Sequence, residues 1–213
     1  AGRAADVYDR GDGTVLRRYR SDHDTEVEGR VMAWVAEQGV PVPAVHLAEG
    51  RSIVMDLVEG PTMLDDLGEH PARVLTHART LAALQQQVNA LVAPPWFPRR
   101  NGVPPGPAVA HLDLHPLNVI VGPAGPVLID WTNATNAAPA FDAAMTYVVM
   151  EAFEVDSLRD RLARRLMVEA FAVARGRRAV RDARPAAVEY RLLDPNVTPG
   201  ERVALERMIG CCS

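Results

Sequence analysis

The stretch HLDLHPLNVIVGPAGPVLIDW, residues 111 to 131, decides how the rest of the chain is read. Between Asn118 and Asp130 it holds two apolar, largely β-branched runs, VIV and VLI, joined by GPAGP. β-branched residues favour strands and a Gly/Pro cluster favours a turn, so a tight hairpin is expected. In an antiparallel pair, the residue entering the first strand and the residue leaving the second share one open end, about 5 to 6 Å apart at Cα when directly opposite. Asn118 and Asp130 should therefore converge, and Asp113, on the loop feeding the hairpin, should be carried to the same place. An acid and an amide offering hard oxygen ligands, beside a second and free carboxylate, suit a magnesium ion that holds phosphates while the free acid receives a proton.

Each of these residues has a plainer reading. Asp113 is a turn-former by type, Asn118 an Asx turn at a strand edge, and Asp130 a helix cap. His111-x-Asp113-x-His115 also permits a zinc reading, because alternate residues of an extended segment can chelate, although Pro116 breaks the segment.

Upstream, DVYDRGDGTVLRRYR predicts two strands around Asp12-Gly13, with Val15, Arg17 and Tyr19 on one face by the two-residue period. A helix follows, capped by Thr25 with Glu28 completing a capping box, and Val27, Val31, Trp34 and Val35 as its apolar stripe. PVPAVHLAEGRSIVMDLVEG predicts two more strands joined at Glu49-Gly50. After Gly60-Pro61 the pattern becomes helical, with Leu75, Ala78, Leu81, Leu84, Val88 and Leu91 at helical spacing, which marks a lobe boundary. Pro94 to Pro107 contains six prolines and predicts a surface loop. Helices are expected from about Asp142 to Val155 and from Ser157 to Arg175, the latter through Leu158, Leu162, Leu166, Ala170 and Val173, with Gly176 as a stop. Residues 177 to 213 are too irregular to assign.

With 213 residues the chain can bury a sizeable core as one domain or two small lobes. Its 48% hydrophobic and 23% charged composition is that of a soluble globular protein, and no run reaches the roughly 18 apolar residues of a membrane span. AGRAADVYDRGDG has no apolar segment behind a basic start, so no secretory signal is expected. The only cysteines, Cys211 and Cys212, are adjacent and make neither a disulfide framework nor a spaced metal site, which fits a reducing cytoplasm. A net charge of −4 gives no reason to expect nucleic acid as a partner. Lysine is absent and arginine takes its place throughout, so any chemistry that needs an ammonium group falls to a guanidinium.

HLDLHPLN resembles the H-G-D-x-H-x-x-N catalytic loop of the phosphotransferase enzyme family typified by the aminoglycoside phosphotransferases, and IDW resembles that family's metal-binding segment. The resemblance spans roughly residues 1 to 155. It implies an α+β, two-lobed protein-kinase-like fold: a small antiparallel-sheet N-lobe with one helix over residues 1–58, and a mainly helical C-lobe over residues 59–213. It implies Asp113 as catalytic base for the acceptor hydroxyl, Asn118 and Asp130 as magnesium ligands, and His111 as a brace. Arg17 stands where the family has a lysine against the nucleotide phosphates, and Glu28 matches its helix glutamate. A guanidinium is planar and bidentate, so it grips phosphate or carboxylate with a different reach. MDLVEG resembles the hinge, with Met55 beside adenine and the backbone of Asp56 and Val58 facing the ring edge; Met55 as plain core is the competing reading. The phosphate-covering turn would be Gly2 to Ala5. Leu112 and Leu117 occupy positions where the family often has glycine. Asp142 is either a brace beneath the catalytic loop or a helix cap.

The function this implies is transfer of the γ-phosphoryl group of ATP, with Mg2+, to a hydroxyl of a small-molecule acceptor, in the cytoplasm and without membrane or nucleic-acid partners. The rivals are a catalytically degenerate nucleotide-binding module and a metal-dependent hydrolase. If the acceptor is polycationic, Asp65, Asp66 and Glu69 are candidates for an acidic pocket.

Overall fold

The computed structural model describes residues 5–210. Cys211, Cys212 and all but the last residue of the expected phosphate-covering turn lie outside them. β1 (Ala5–Asp9) and β2 (Thr14–Tyr19) form the first hairpin, in register from Ala5 opposite Tyr19 to Asp9 opposite Val15. Asp12 shapes the turn, its Oδ1 accepting from the Thr14 N–H at 3.1 Å. α1 (Thr25–Glu37) leads to β3 (Val45–Glu49) and β4 (Ser52–Asp56), giving one antiparallel sheet of order β1-β2-β4-β3.

The start of α1 differs from the capping-box expectation. Asp24 is the cap, accepting from the Val27 N–H at 3.2 Å. Thr25 is fully buried and donates to the carbonyls of Gly50 and Ser52, pinning α1 to the β3–β4 turn. The helix is therefore rotated so that Val27 faces solvent, and Glu28, Val31, Met32 and Val35 face inward.

The connection into the helical lobe is stitched to the hairpin. β6 (Val119–Gly122) and β7 (Gly125–Leu128) pair from Val119 opposite Leu128 to Gly122 opposite Gly125. Gly60, at φ +134, passes so close that a Cβ would sit 2.4 Å from the Val121 carbonyl oxygen. The Val121 N–H then donates to the Pro61 carbonyl at 2.8 Å, and the Leu128 N–H to that of Pro41 at 2.8 Å. A side chain at residue 60 would force these strands apart.

α2 (Met63–Glu69), α3 (Val74–Asn89), α4 (Pro139–Ala152), α5 (Leu158–Arg175), α6 (Arg177–Leu192) and α7 (Pro199–Gly210) make up the helical lobe. β5 (Ala108–Ala110) and β8 (Thr135–Ala137) form a short antiparallel pair that precedes and follows the hairpin region. Along α3, Ala78, Leu81, Leu84 and Val88 are buried, whereas Leu75 is half exposed. α4 begins at Pro139, ahead of the expected start, and is apolar nearly all round because it lies in the centre of the lobe. α5 has the expected span but turns the other way: Met167, Val168, Phe171 and Ala172 are buried, and Leu158, Leu162, Leu166 and Val173 face solvent. Gly176, at φ +91, ends it as expected. The proline-rich segment is a loop at the surface, as expected, but it is anchored by aromatic packing. Phe97 is buried, and the rings of Trp96 and Phe97 lie 6.2 and 5.9 Å from Trp34 of α1. One apolar cluster runs from Val35 and Ile53 through Leu81, Leu114, Leu128 and Trp131 to Phe171, so the sheet and helices share a core.

Candidate active site

The loop from β5 to β6 is held in shape by three hydrogen bonds, one buried and two partly buried. His111 is fully buried; its Nε2 lies 3.1 Å from the Ile129 carbonyl and its Nδ1 accepts from the Asp113 N–H at 3.3 Å. That pairing fixes the Nε2–H tautomer, and burial pushes the imidazole's pKa below its usual value, against the pull of Asp113, Asp142 and Asp130. Both ring nitrogens are thus engaged, which removes the zinc reading; among the described residues no group of three or more His, Cys, Asp or Glu side chains is placed to hold a metal. Leu112 adopts φ +62, the left-handed region that favours glycine, and its N–H donates to Asp142 Oδ1 at 2.8 Å. Asp142 also accepts from Asn89 Nδ2 at 2.8 Å, so it braces the loop and does not cap α4, whose N-cap is Ala138.

Asp113 and Asn118 are in direct contact. Asn118 Nδ2 donates to the Asp113 carbonyl at 2.8 Å and to its Oδ2 at 3.3 Å, and His115 Nε2 lies 3.5 Å from Asp113 Oδ1. With Nδ2 committed to Asp113, the amide Oδ1 of Asn118 remains as an acceptor. The Ile129 N–H donates to the Asn118 carbonyl at 3.0 Å, so the hairpin brings Asn118 opposite residue 129 and Asp130 follows one residue later. Asp130 is itself left-handed, at φ +63, which turns its side chain out of the strand direction.

Asp130 meets the sheet lobe through Arg17. Arg17 Nη2 lies 2.8 Å from Asp130 Oδ2, and its Nη1 lies 3.2 Å from Glu28 Oε1. Burial favours the neutral carboxyl of Asp130, but the Arg17 guanidinium and the Thr132 hydroxyl outweigh it and hold the pKa below the usual carboxylate value. Arg17 is likewise raised, its desolvation overcome by Asp130 and Glu28. Three residues that sequence reasoning did not assign complete the cluster. The Tyr19 hydroxyl donates to Glu28 Oε2 at 2.6 Å and lies 2.7 Å from Thr132 Oγ1; Thr132 Oγ1 lies 2.7 Å from Asp130 Oδ1; His23 Nε2 lies 3.2 Å from Glu28 Oε2. Burial and the Glu28 charge push the Tyr19 pKa up, so it stays a neutral donor. The signal for Tyr19 was its shared strand face with Arg17; for Thr132 it was proximity to Asp130 in IDWT.

The residues expected to form a hinge lie at and just beyond the end of β4. Met55 pairs with Val15 and Val45 and packs on the core without being sealed in it. The Asp56 N–H is taken by the Ala44 carbonyl at 2.9 Å, so of its backbone groups the carbonyl is the one able to face a ligand; its side chain is bound to His46. The Val58 N–H has no acceptor among the described residues. Two of the acidic candidates of α2 have partners of their own. Asp66 is buried and tied to His77, Arg73 and His70, and Asp65 is bonded to Thr62.

Asn118 Oδ1 and the Asp130 carboxylate are hard oxygen donors of the kind magnesium takes, and they fit such an ion provided Asp130 shares its oxygens with Arg17 and Thr132.

A small antiparallel sheet with one helix, a helical lobe, and an acid-bearing loop and hairpin at their junction define a two-lobed, kinase-like α+β protein. The profile of the phosphotransferase enzyme family matches residues 1–104 and 100–183, and the chain belongs to that family. Among solved structures, aminoglycoside phosphotransferase APH(4)-Ia is similar at a TM-score of 0.65 and 14% identity, over 99% of this chain and 90% of that one. A choline/ethanolamine kinase family protein from Mesorhizobium loti is similar at 0.61 and 16% identity, over 100% and 85%. Aminoglycoside phosphotransferase APH(3'')-Id from Streptomyces rimosus follows at 0.56 and 17%, over 86% and 90%. At these identities the likeness speaks for the fold. No curated protein sequence matches the chain.

Proposed function

We propose that this phosphotransferase is a small-molecule kinase that moves the γ-phosphoryl group of ATP to an acceptor hydroxyl, with residues 1–58 and 59–213 as its two lobes and the cytoplasm as its place of work. The observation that carries the reading is the chain of contacts from Glu28 through Arg17 to Asp130, with the Asp113–Asn118 pair at the same hairpin end. Asp113 accepts the proton of the acceptor hydroxyl as the new O–P bond forms and the bond to the ADP leaving group breaks. Asn118 aims Asp113 through its amide N–H groups and, with Asp130, would hold magnesium; the ion supplies charge neutralisation for the phosphates when bound. Arg17, oriented by Glu28, supplies the positive charge that the family takes from lysine, and its fork suits phosphate oxygens. Met55, the Asp56 carbonyl and the Val58 N–H would receive the adenine edge. Catalysis of this type is mainly positioning and electrostatic stabilisation, which is what the cluster is built to give.

One observation favours the degenerate-module rival: Arg17 and Thr132 already engage both Asp130 oxygens. Two measurements separate the readings. Mg-ATP at millimolar concentration should raise the melting temperature of the protein, and Asp130→Asn should diminish that rise. ATP consumption across a panel of hydroxylated metabolites and aminoglycosides should reveal an acceptor, with Asp113→Ala lowering turnover by roughly 10²- to 10⁴-fold. A thermal shift without turnover on any acceptor would leave the module; no shift at all would defeat both.

A further inference from the structure

A cavity of about 520 Å³ lies between the proline-rich loop and β8, lined by Arg99, Arg100, Asn101, Val103, Pro105, Gly106 and Asn136. Its chemistry is one-sided: two guanidinium groups, two amides and no acid, in a protein of net charge −4. Neither arginine is paired with a carboxylate among the described residues. We infer that this cavity is a binding site for a small oxyanion, the phosphate group of a monoester or of free phosphate, held by the forks of Arg99 and Arg100 and the amide of Asn101.

The site is built before any ligand arrives. Arg100 is anchored by two of its nitrogens, Nε donating to the Asn133 carbonyl at 3.0 Å and Nη2 to that of Thr132. Its Nη1 has no acceptor among the described residues, so one N–H pair of a fixed guanidinium is left for a ligand. The opposite wall is equally fixed. Gly106 lies so close to β8 that a Cβ there would be 2.2 Å from the Ala137 carbonyl carbon, and Asn136 Nδ2 donates to the Gly106 carbonyl at 3.1 Å. Prolines at 98, 104, 105 and 107 limit the loop's backbone freedom, so little ordering entropy remains to be lost on binding. Gly102 packs on Tyr190 of α6, which backs the loop from behind. Planar forks with parallel N–H groups match oxyanion geometry better than a point charge would.

The site needs none of Asp113, Asn118 or the nucleotide-facing residues, so it stands whether or not the kinase reading does. It touches the reaction centre through one path: Arg100 holds the carbonyl of Thr132, and the hydroxyl of that residue contacts Asp130 Oδ1. An anion on Nη1 completes the set of partners that keeps Arg100, and with it Thr132, in place.

Calorimetric titration of the protein with sodium phosphate and with glycerol 2-phosphate, at constant chloride-adjusted ionic strength, tests the assignment. Saturable binding of at least one, with Kd on the order of 1 mM, is expected. Arg99→Ala and Asn101→Asp alter exposed positions whose side chains make no hydrogen bond or ion pair among the described residues, so both variants should fold and both should weaken binding by about tenfold or more. The tighter of the two probes identifies the source of the phosphate. No saturable heat with either probe, or an unchanged Kd in Arg99→Ala, overturns the site; the latter would mean that phosphate binds elsewhere, such as at Arg17.

Discussion

Leu112 carries two opposed costs, and their sizes predict an unusual mutational order. A non-glycine residue in the left-handed region costs about 1–2 kcal/mol, whereas removing a buried leucine costs about 2–5 kcal/mol, and Leu112 is buried. The leucine is therefore retained for its packing despite the backbone. At an ordinary buried position glycine is worse than alanine by about 0.5–1 kcal/mol; here relief of strain should cancel that deficit. Leu112→Gly is expected to be destabilised relative to wild type yet no less stable than Leu112→Ala in urea unfolding. A glycine variant clearly weaker than the alanine variant would mean that residue 112 carries no strain. Its neighbour His111 gives a pH prediction. Burial lowers its native pKa below the unfolded value of about 6.5. Between those two values the unfolded chain holds more protons, so this contribution is complete above about pH 6.5 and is lost as pH falls toward the native pKa. The urea midpoint should drop between pH 7.5 and 5.5, and the drop should be smaller in His111→Gln. Equal drops in the two proteins would assign the effect to other groups. Neither Leu112's dihedral nor His111's two hydrogen bonds was legible in HLDLHPLN; the departure from glycine marked the first position, and the second depended on Ile129, eighteen residues away.

At the scale of elements, sequence periodicity located helices better than it oriented them. α5 has two apolar faces: Leu158, Leu162, Leu166 and Val173 on one, Met167, Val168, Phe171 and Ala172 on the other. The spacing selects the leucine face, and the packing against α3 and α4 selects the second, because a bulky Phe171 fills the shared core. Nothing within residues 158–175 decides between them. Leu162→Gln should accordingly change stability by no more than about 0.5 kcal/mol, whereas Phe171→Ala should cost about 3–5 kcal/mol, both measured by chemical denaturation. A large loss in Leu162→Gln would place the leucine face against a partner surface. The same reasoning explains α1. The sequence rule for capping fits Thr25 and Glu28, yet the tertiary demand of Arg17 for a carboxylate and of the β3–β4 turn for a donor takes both side chains, leaving Asp24 to cap. Hairpins were more legible, because a period of two leaves only one register that keeps Asn118 and Asp130 at one end. The anchoring of the proline-rich loop was not: prolines report backbone stiffness, and the burial of Phe97 against Trp34 depends on a helix some sixty residues earlier.

For the whole molecule, the ion pairs that join the two lobes among the described residues meet at one arginine. Arg17 comes from β2, Glu28 from α1 and Asp130 from the end of the β6–β7 hairpin, so a single guanidinium ties the sheet, its helix and the helical lobe together. Its side chain is 12% exposed, and a guanidinium so placed is costly to leave without a counter-charge. This makes the two carboxylates interdependent. Glu28→Gln leaves Arg17 paired with Asp130, and Asp130→Asn leaves it paired with Glu28, so each single variant retains one ion pair. The double variant retains none. The loss of unfolding free energy in the double variant should exceed the sum of the single losses by about 0.5–3 kcal/mol, the range for residues sharing one partner. The cycle is to be closed in a background of Arg17→Met, where the shared cation is gone and the excess should vanish. If the losses simply add in the arginine background, Arg17 does not couple the lobes, and the Tyr19–Thr132 hydroxyl pair, which joins the same two carboxylates at 2.7 Å, becomes the principal link between them.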